Sequence, residues 1–215
     1  MHVVLDVETK NLGCDVIKDN EQLLSFQLGD ATEQELYYYD SKDKQSNLEI
    51  GKKRIMSLLS QGVTFAGFNI KNFDISILKQ FLGVEIPDSN IFDLYQTPRV
   101  CELRNMKIFG LERVCGEYGI GVVHKRKMNE RAEKCQAKEV IQIEAKAKAL
   151  EVMKKKGGTF NYAFNEVLHK IAYGHAVWGS YLEFVESGGQ KNTLFYEYAI
   201  GDVICEHQLL KKLGY

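Results

Sequence analysis

Two acidic residues near the start of the chain, Asp6 and Glu8, are the side chains whose type and spacing most directly indicate chemistry. They follow an apolar run, Val3–Leu5, that predicts a buried β-strand, and alternate side chains of a strand lie on the same face. Two carboxylates about 7 Å apart on one face of a buried strand need a compensating charge. A divalent cation such as Mg²⁺ or Mn²⁺ supplies it through oxygen ligands, and the alternative is a solvated strand end.

Two further carboxylates occur where regular structure would hold them in place. Asp74 follows an apolar run, Val63–Ala66, and begins a segment of helical periodicity, which predicts a strand-to-helix junction. An aspartate there is also an ordinary helix cap. Asp202 falls inside a predicted final helix, Leu194–Leu213, and Tyr198 lies one turn earlier on the same face. These segments would form one acidic site if the fold brings them together.

The composition of the chain limits its class. With 215 residues, 45% hydrophobic and 27% charged, it is typical of one globular domain. A net charge of -1 gives no overall basic field that would indicate nucleic acid. Five scattered cysteines without a C-x-x-C pair predict reduced thiols rather than a zinc site or disulfides. Because we find no signal peptide and no membrane-spanning apolar run, we expect a cytoplasmic protein that does not bind membranes.

The order of the elements predicts an α/β fold. Two strands, Leu23–Leu28 and Glu35–Tyr39, follow the first as an antiparallel meander. Helices and short strands then alternate, among them a helix at Leu48–Ser60, a strand at Ile91–Leu94 and a helix at Phe109–Gly119. This order predicts a mixed five-stranded sheet flanked by helices.

The segment from Lys125 to Lys156 has a different character. It lacks Gly and Pro and is rich in Ala, Glu and Lys, which predicts one long, mostly exposed helix. Eleven Lys and Arg oppose five Glu in it, so its local charge is +6. Such a run indicates either a solvated helical face or a phosphate-binding surface. The following segment, Phe160–Glu186, is predicted to be helical with an interruption near Gly174 or Gly179.

Taken in order, the acidic segments resemble the three motifs of the DEDD superfamily of 3′-to-5′ exonucleases. The D-x-E motif matches Asp6 to Glu8, the N-x-x-x-F-D motif matches Asn69 to Asp74, and the Y-x-x-x-D motif matches Tyr198–Asp202. The tyrosine in the third motif is that of the tyrosine subclass (DEDDy), and the second motif is similar to that of DNA polymerase proofreading domains. The resemblance covers about 1–124 and 175–215 and leaves about 125–174 as a basic helical insertion.

The resemblance implies a ribonuclease H-like fold in a single domain and catalysis by two Mg²⁺ or Mn²⁺ ions. Two such ions, about 3.5–4 Å apart, activate the attacking water and stabilise the leaving oxygen. The implied metal ligands are Asp6, Glu8, Asp74 and Asp202, with Asp6 shared by both ions and Asp74 acting through water. Tyr198 would orient the attacking water, because a phenol with a pKa near 10 is a poor general base.

The implied activity is release of nucleoside monophosphates from the 3′ end of single-stranded DNA, with a replication or repair protein as a partner. The predicted substrate-binding residues are polar, aromatic or basic: Thr9, Asn69, Phe73, Lys154, Lys155 and Lys156. The three lysines are chosen only for the positive charge of the basic segment. Two alternatives stay open, namely an RNA-trimming exonuclease of the same chemistry and a non-catalytic nucleic-acid-binding module on the same scaffold.

Overall fold

A computed structural model of the chain describes residues 1–10, 23–40 and 46–215. The contacts divide these residues into two compact units. The first unit comprises Met1–Thr9, Leu23–Val123 and Glu197–Tyr215. The described part of the second comprises Lys10 and His124–Tyr196. The predicted insertion at about 125–174 falls within the second unit.

A mixed five-stranded sheet forms the centre of the first unit. Its strands are β1 (His2–Thr9), β2 (Leu23–Gly29), β3 (Gln34–Tyr38), β4 (Thr64–Gly67) and β5 (Ile91–Asp93). They lie in the order β3-β2-β1-β4-β5. The first three strands pair in antiparallel fashion, whereas β4 and β5 run parallel to β1. The predicted α/β class, with three antiparallel strands followed by parallel ones, is therefore confirmed.

The central strand β1 is covered on both faces. Val4 and Leu5, which point to opposite faces, are both 0% exposed, and Val7 is 5% exposed. A strand buried on both sides needs an apolar run rather than strict alternation, as its sequence has. A charged side chain near the end of β1 therefore lies next to the buried core.

Eight helices are found in the described residues. They are α1 (Ser46–Ser60), α2 (Asp74–Leu82), α3 (Pro98–Asn105), α4 (Leu111–Glu117), α5 (Val123–Gln136), α6 (Glu139–Lys156), α7 (Phe160–Glu186) and α8 (Leu194–Lys212). Two short 3-10 turns occur at Asp88–Asn90 and Leu94–Gln96. Within this described part of the chain, no helix has both the length and the apolar character needed to cross a bilayer.

The prediction of one long, mostly exposed helix from Lys125 to Lys156 is wrong. The chain forms two helices there, α5 and α6, because Lys138 adopts an extended backbone (φ −74°, ψ 129°). Gln142 donates a side-chain hydrogen bond to the carbonyl oxygen of Gln136 across this break, at 3.2 Å. Each helix also has a buried side, and α6 packs against α7. Strong helix formers on both sides of the break left no stop signal in the sequence.

Helix α7 continues without the interruption predicted near Gly174 or Gly179. A Cβ atom at Gly179 would meet the Nη2 atom of Arg131 at 3.0 Å, so this glycine leaves room for that guanidinium group. Arg131 in turn donates two hydrogen bonds of 2.7 Å to Glu183, which lies one turn after Gly179 on α7. The glycine thus serves the packing of α5 on α7 and does not end the helix.

The packing of α1 on the sheet leads to a stability prediction at Gly51. An added Cβ atom there would lie 2.3 Å from the ring of Phe26 and 2.5 Å from that of Tyr37. Because these two rings stack on each other with centroids 5.1 Å apart, neither can simply rotate away. We expect Gly51→Ala to lower the free energy of unfolding by about 1–3 kcal/mol through overpacking. Thermal denaturation followed by circular dichroism measures this change.

A matched control for that substitution is Gly116→Ala, in the exposed part of α4. Nothing lies within 4 Å of the position that its Cβ would occupy. There the same substitution should leave stability unchanged or raise it by up to about 1 kcal/mol, because alanine is the better helix former. Equal melting temperatures for Gly51→Ala and the wild type would contradict the packing described for α1.

Candidate metal centre

Three carboxylates from distant parts of the chain converge in the first unit. Asp6 and Glu8 extend from β1, and Asp202 extends from α8. One oxygen atom of each lies within 4.8 Å of the others. Oxygen ligands of Mg²⁺ or Ca²⁺ lie about 2.0–2.6 Å from the ion, so opposite ligands are separated by roughly twice that distance. The three side chains are therefore close enough to share one divalent cation.

A β-bulge lies beside these carboxylates. The pairing of β1 with β2 shifts between Glu8 and Thr9, so that Glu8 lies opposite Ser25 while Thr9 lies opposite Leu23. An extra residue of this kind bends the strand and changes the direction of the neighbouring side chains. Thr9, a predicted substrate-binding residue, is buried directly after the bulge.

The strand next to β1 carries a buried polar pair beside the carboxylates. Gln27 lies opposite Asp6, and Ser25 lies opposite Glu8. Both are 0% exposed, and the Gln27 side-chain amide donates to the Ser25 hydroxyl at 2.6 Å. Residues directly opposite each other on antiparallel strands point to the same face. The part of β2 that faces the carboxylates is therefore polar, although both of its side chains are buried.

Asp74 is the first residue of α2 and is 4% exposed. Its pKa is raised well above 3.8, first by burial and then by the negative charge of Asp6. Hydrogen bonds from the backbone N–H groups of Asp74 and Val7 oppose this rise in pKa. The helix-capping position itself is occupied by Phe73, without a side-chain cap. The charges of Asp74 and Asp6 therefore influence each other, although Asp74 is not one of the three acids whose oxygen atoms lie within 4.8 Å of one another.

The loop before Asp74 is held by the end of β5. Asn69 has a positive φ of 65°, a conformation that is uncommon for residues other than glycine and costs about 1 kcal/mol or more. Its backbone N–H donates to Asp93 at 2.9 Å, and its side-chain oxygen accepts from Asn72 at 2.9 Å. Asp93 also accepts from the backbone N–H of Tyr95 at 3.0 Å. The strained loop is therefore held by Asp93 at the end of β5 and by a side-chain hydrogen bond within the loop itself.

The remaining predicted site residues lie in both units. Tyr198 is buried on α8, one turn before Asp202. Phe73 is 37% exposed, so its ring does not belong to the buried core. Lys154 and Lys155 are exposed in the last turn of α6, in the second unit. Lys156 ends that helix, and its side chain lies outside what the structure describes.

Sequence reasoning missed one carboxylate, that of Glu206. It lies one turn after Asp202 on α8 and is 2% exposed. Its Oε1 atom accepts a hydrogen bond from the backbone N–H of Phe68 at 3.1 Å. Burial, followed by the charges of Asp6, Asp74 and Asp202, raises its pKa well above 4.5. The available signal was a second acid four residues after Asp202, directly after the apolar run Val203–Cys205.

Together these residues form what we call the acidic cluster: Asp6, Glu8, Asp74, Asp202 and Glu206. The cluster offers only carboxylate oxygens, which suit hard cations such as Mg²⁺ and Mn²⁺ and not zinc. Among the described residues, the Oε2 atom of Glu206 is buried with no hydrogen-bond partner. Burying like charges is costly unless an opposite charge accompanies them. The three carboxylates that meet, those of Asp6, Glu8 and Asp202, therefore fit a divalent cation.

Comparisons with known proteins add no assignment. No protein-family model matches the chain, and no curated protein matches its sequence significantly. The function therefore has to be inferred from the acidic cluster and the elements that hold it.

Proposed function

We propose that this protein is a metal-dependent 3′-to-5′ exonuclease with a ribonuclease H-like fold that acts on single-stranded DNA. The observation that carries the proposal is the convergence of Asp6, Glu8 and Asp202 within 4.8 Å. These residues come from the first and third motifs of the DEDD resemblance, and Asp74 from the second is coupled to them electrostatically. The order of strands in the sheet is compatible with this proposal.

Within the proposed centre, each carboxylate has a role set by its position. Asp6, Glu8 and Asp202 would hold one cation, and Asp6 with Asp74 would hold a second. The cations, when bound, supply a nucleophilic water at neutral pH and stabilise charge on the leaving oxygen. The bulge after Glu8 and the two backbone hydrogen bonds to Asp74 fix the carboxylates before substrate arrives. Such preorganisation lowers the reorganisation needed during the reaction.

Tyr198 would position the attacking water. Its side chain is buried on the same face of α8 as Asp202, one turn away. A phenol hydroxyl can donate and accept a hydrogen bond, but its ordinary pKa near 10 makes it a weak base at neutral pH. Orientation by hydrogen bonding, rather than proton abstraction, is therefore the role that we propose for it.

The substrate would be held by stacking and by positive charge. Phe73, exposed and adjacent to Asp74, offers a ring on which a terminal base can stack, and Asn69 and Thr9 would add polar contacts. In the second unit, Lys154 and Lys155 are exposed and would contact phosphates. We therefore infer a single strand as the substrate.

Digestion of a 5′-labelled single-stranded DNA and of an RNA of matching sequence tests the proposal. We expect a ladder of products shortened from the 3′ end with Mg²⁺ or Mn²⁺, none with EDTA, and faster loss of the DNA. A circular single strand is the control, because an exonuclease cannot begin on it. Faster digestion of the RNA would reassign the substrate. Binding of both polymers without any product would instead support a non-catalytic binding module.

A further inference from the structure

Glu206 is a buried acid that the three motifs do not include. On α8 it continues the row formed by Tyr198 and Asp202, since residues four apart lie on the same helical face. It is 2% exposed, and Asp202, one turn earlier, is 4% exposed. The row therefore places a second buried carboxylate on the helical face that carries Asp202.

The two oxygen atoms of this carboxylate have different surroundings. Oε1 accepts from the backbone N–H of Phe68 at 3.1 Å, directly after β4 ends. Oε2 is buried and has no hydrogen-bond partner among the described residues. The charges that act on the group are those of Asp6, Asp74 and Asp202. One oxygen thus joins α8 to β4, while the other is buried without a partner in the described part of the chain. Glu206 lies outside the group of three acids whose oxygen atoms are within 4.8 Å of one another.

A structural hydrogen bond to Phe68 does not by itself require an acid. A glutamine of the same size would offer the same acceptor oxygen without adding negative charge beside Asp6, Asp74 and Asp202. A carboxylate there is costly in a protein without cations, because burial and like charges both oppose ionisation. A bound divalent cation removes that cost and gives the second oxygen a partner.

We propose that Glu206 is a fifth carboxylate of the metal centre, with Oε1 fixing α8 to the end of β4 and Oε2 contributing to coordination of a divalent cation beside Asp202. This inference rests on the metal centre of the proposed function. It extends the ligand set beyond the four acids that the exonuclease motifs imply. The ligand it concerns is the cation itself, so it can be tested without measuring nuclease activity.

Mn²⁺ binding by the full chain, measured by titration calorimetry, tests the inference in Glu206→Gln. This variant keeps the acceptor for the Phe68 N–H but removes the negative charge. We expect its Mn²⁺ affinity to fall by about 10- to 100-fold, the range for residues that support a metal site. We also expect it to melt in EDTA at the same temperature as the wild type or higher, because repulsion is relieved. Glu197→Gln, an exposed position on the same helix, is the matched control and should bind Mn²⁺ like the wild type.

Two results would overturn the inference, and they differ. Unchanged Mn²⁺ affinity in Glu206→Gln would leave Glu206 as a purely structural contact between α8 and β4, with the proposed function intact. Absence of Mn²⁺ binding by the wild type would remove the metal centre and the proposed function together. Should Glu206→Gln not fold, Glu206→Asp keeps the charge but withdraws the carboxylate by one methylene. That variant should also bind Mn²⁺ more weakly, and equal affinity would count against the inference.

Discussion

Asp6→Asn is expected to abolish nuclease activity while making the metal-free protein more stable. Asparagine has nearly the same size, so the fold is kept, but the shared carboxylate of the proposed centre is lost. We expect the rate of 3′-end digestion to fall by at least about 10³-fold, the scale on which essential catalytic groups act. The digestion assay with Mn²⁺ measures the first effect, and thermal denaturation in EDTA measures the second.

The stabilisation follows from the charges around Asp6. After burial, its negative charge is the largest cause of the raised pKa of both Asp74 and Glu206. Removing that charge lowers the repulsion within the folded state but leaves the unfolded chain almost unaffected. We expect a rise in melting temperature of a few degrees, since about 1 kcal/mol corresponds to roughly 2–4 °C for a chain of this length.

A surface control separates these effects from a general loss of acidic charge. Asp88 is exposed and pairs with Lys71 at 2.8 Å, a contact worth about 1 kcal/mol or less. Asp88→Asn should therefore leave activity intact and change the melting temperature little. Wild-type activity in Asp6→Asn would exclude Asp6 from the catalytic machinery. A lower melting temperature in EDTA would instead mean that its carboxylate stabilises the fold.

Without divalent cations, the stability of the first unit is expected to fall as the pH rises above about 4. Asp74 has a pKa raised well above 3.8, and Glu206 one raised well above 4.5. Between the unfolded and folded pKa values, the folded state keeps a proton that the unfolded state has lost. The free energy of unfolding then decreases with pH, by about 1.4 kcal/mol for each unit of pKa difference, until the folded pKa is passed.

Two other acids make the stability rise with pH, but in a lower pH range. A hydrogen bond and ion pair with Lys79 lower the pKa of Glu85. A hydrogen bond and ion pair with Arg131 lower the pKa of Glu183. Stability from these groups is complete above their ordinary pKa near 4.5 and is lost as the pH falls through the lower folded value. Because both are largely exposed, their contributions are small. Above about pH 5 these two acids no longer contribute to the slope. Burial lowers the pKa of His2 and of His207 below 6.5, so these two groups make stability rise with pH up to about that value and act against the acidic cluster.

Thermal denaturation of the wild type and Asp74→Asn in EDTA, from about pH 4.5 to 8, measures this dependence. We expect the variant to gain stability over the wild type as the pH rises, because it lacks one of the two raised groups. Adding Mn²⁺ should reverse the order, since only the wild type has the complete set of ligands. A difference between the two proteins that stays constant across the pH range would show that Asp74 does not titrate as described.

Much of the first unit could be predicted from local patterns. The antiparallel strands, the junction at Asp74 and the last helix follow from apolar runs and helical periodicity, which act over a few residues. Helix α3 was missed because only Val100 is buried in it, so it shows no apolar stripe. The break at Lys138 and the continuity of α7 through Gly179 were missed for a related reason. Packing against neighbouring helices outweighed local propensity at both places.

Four candidate acids of the site could be named from the sequence, but how they meet depends on the packing of distant segments. Motif spacing identified Asp6, Glu8, Asp74 and Asp202, but only the packing of α8 beside β1 brings three of them within 4.8 Å. Glu206 could not be found by spacing, because an acid one turn along a helix is usually solvated. It is buried because α8 packs against the end of β4, where its carboxylate meets the backbone of Phe68. Chemistry is thus encoded in residue type, whereas burial and charge coupling arise from contacts between distant segments.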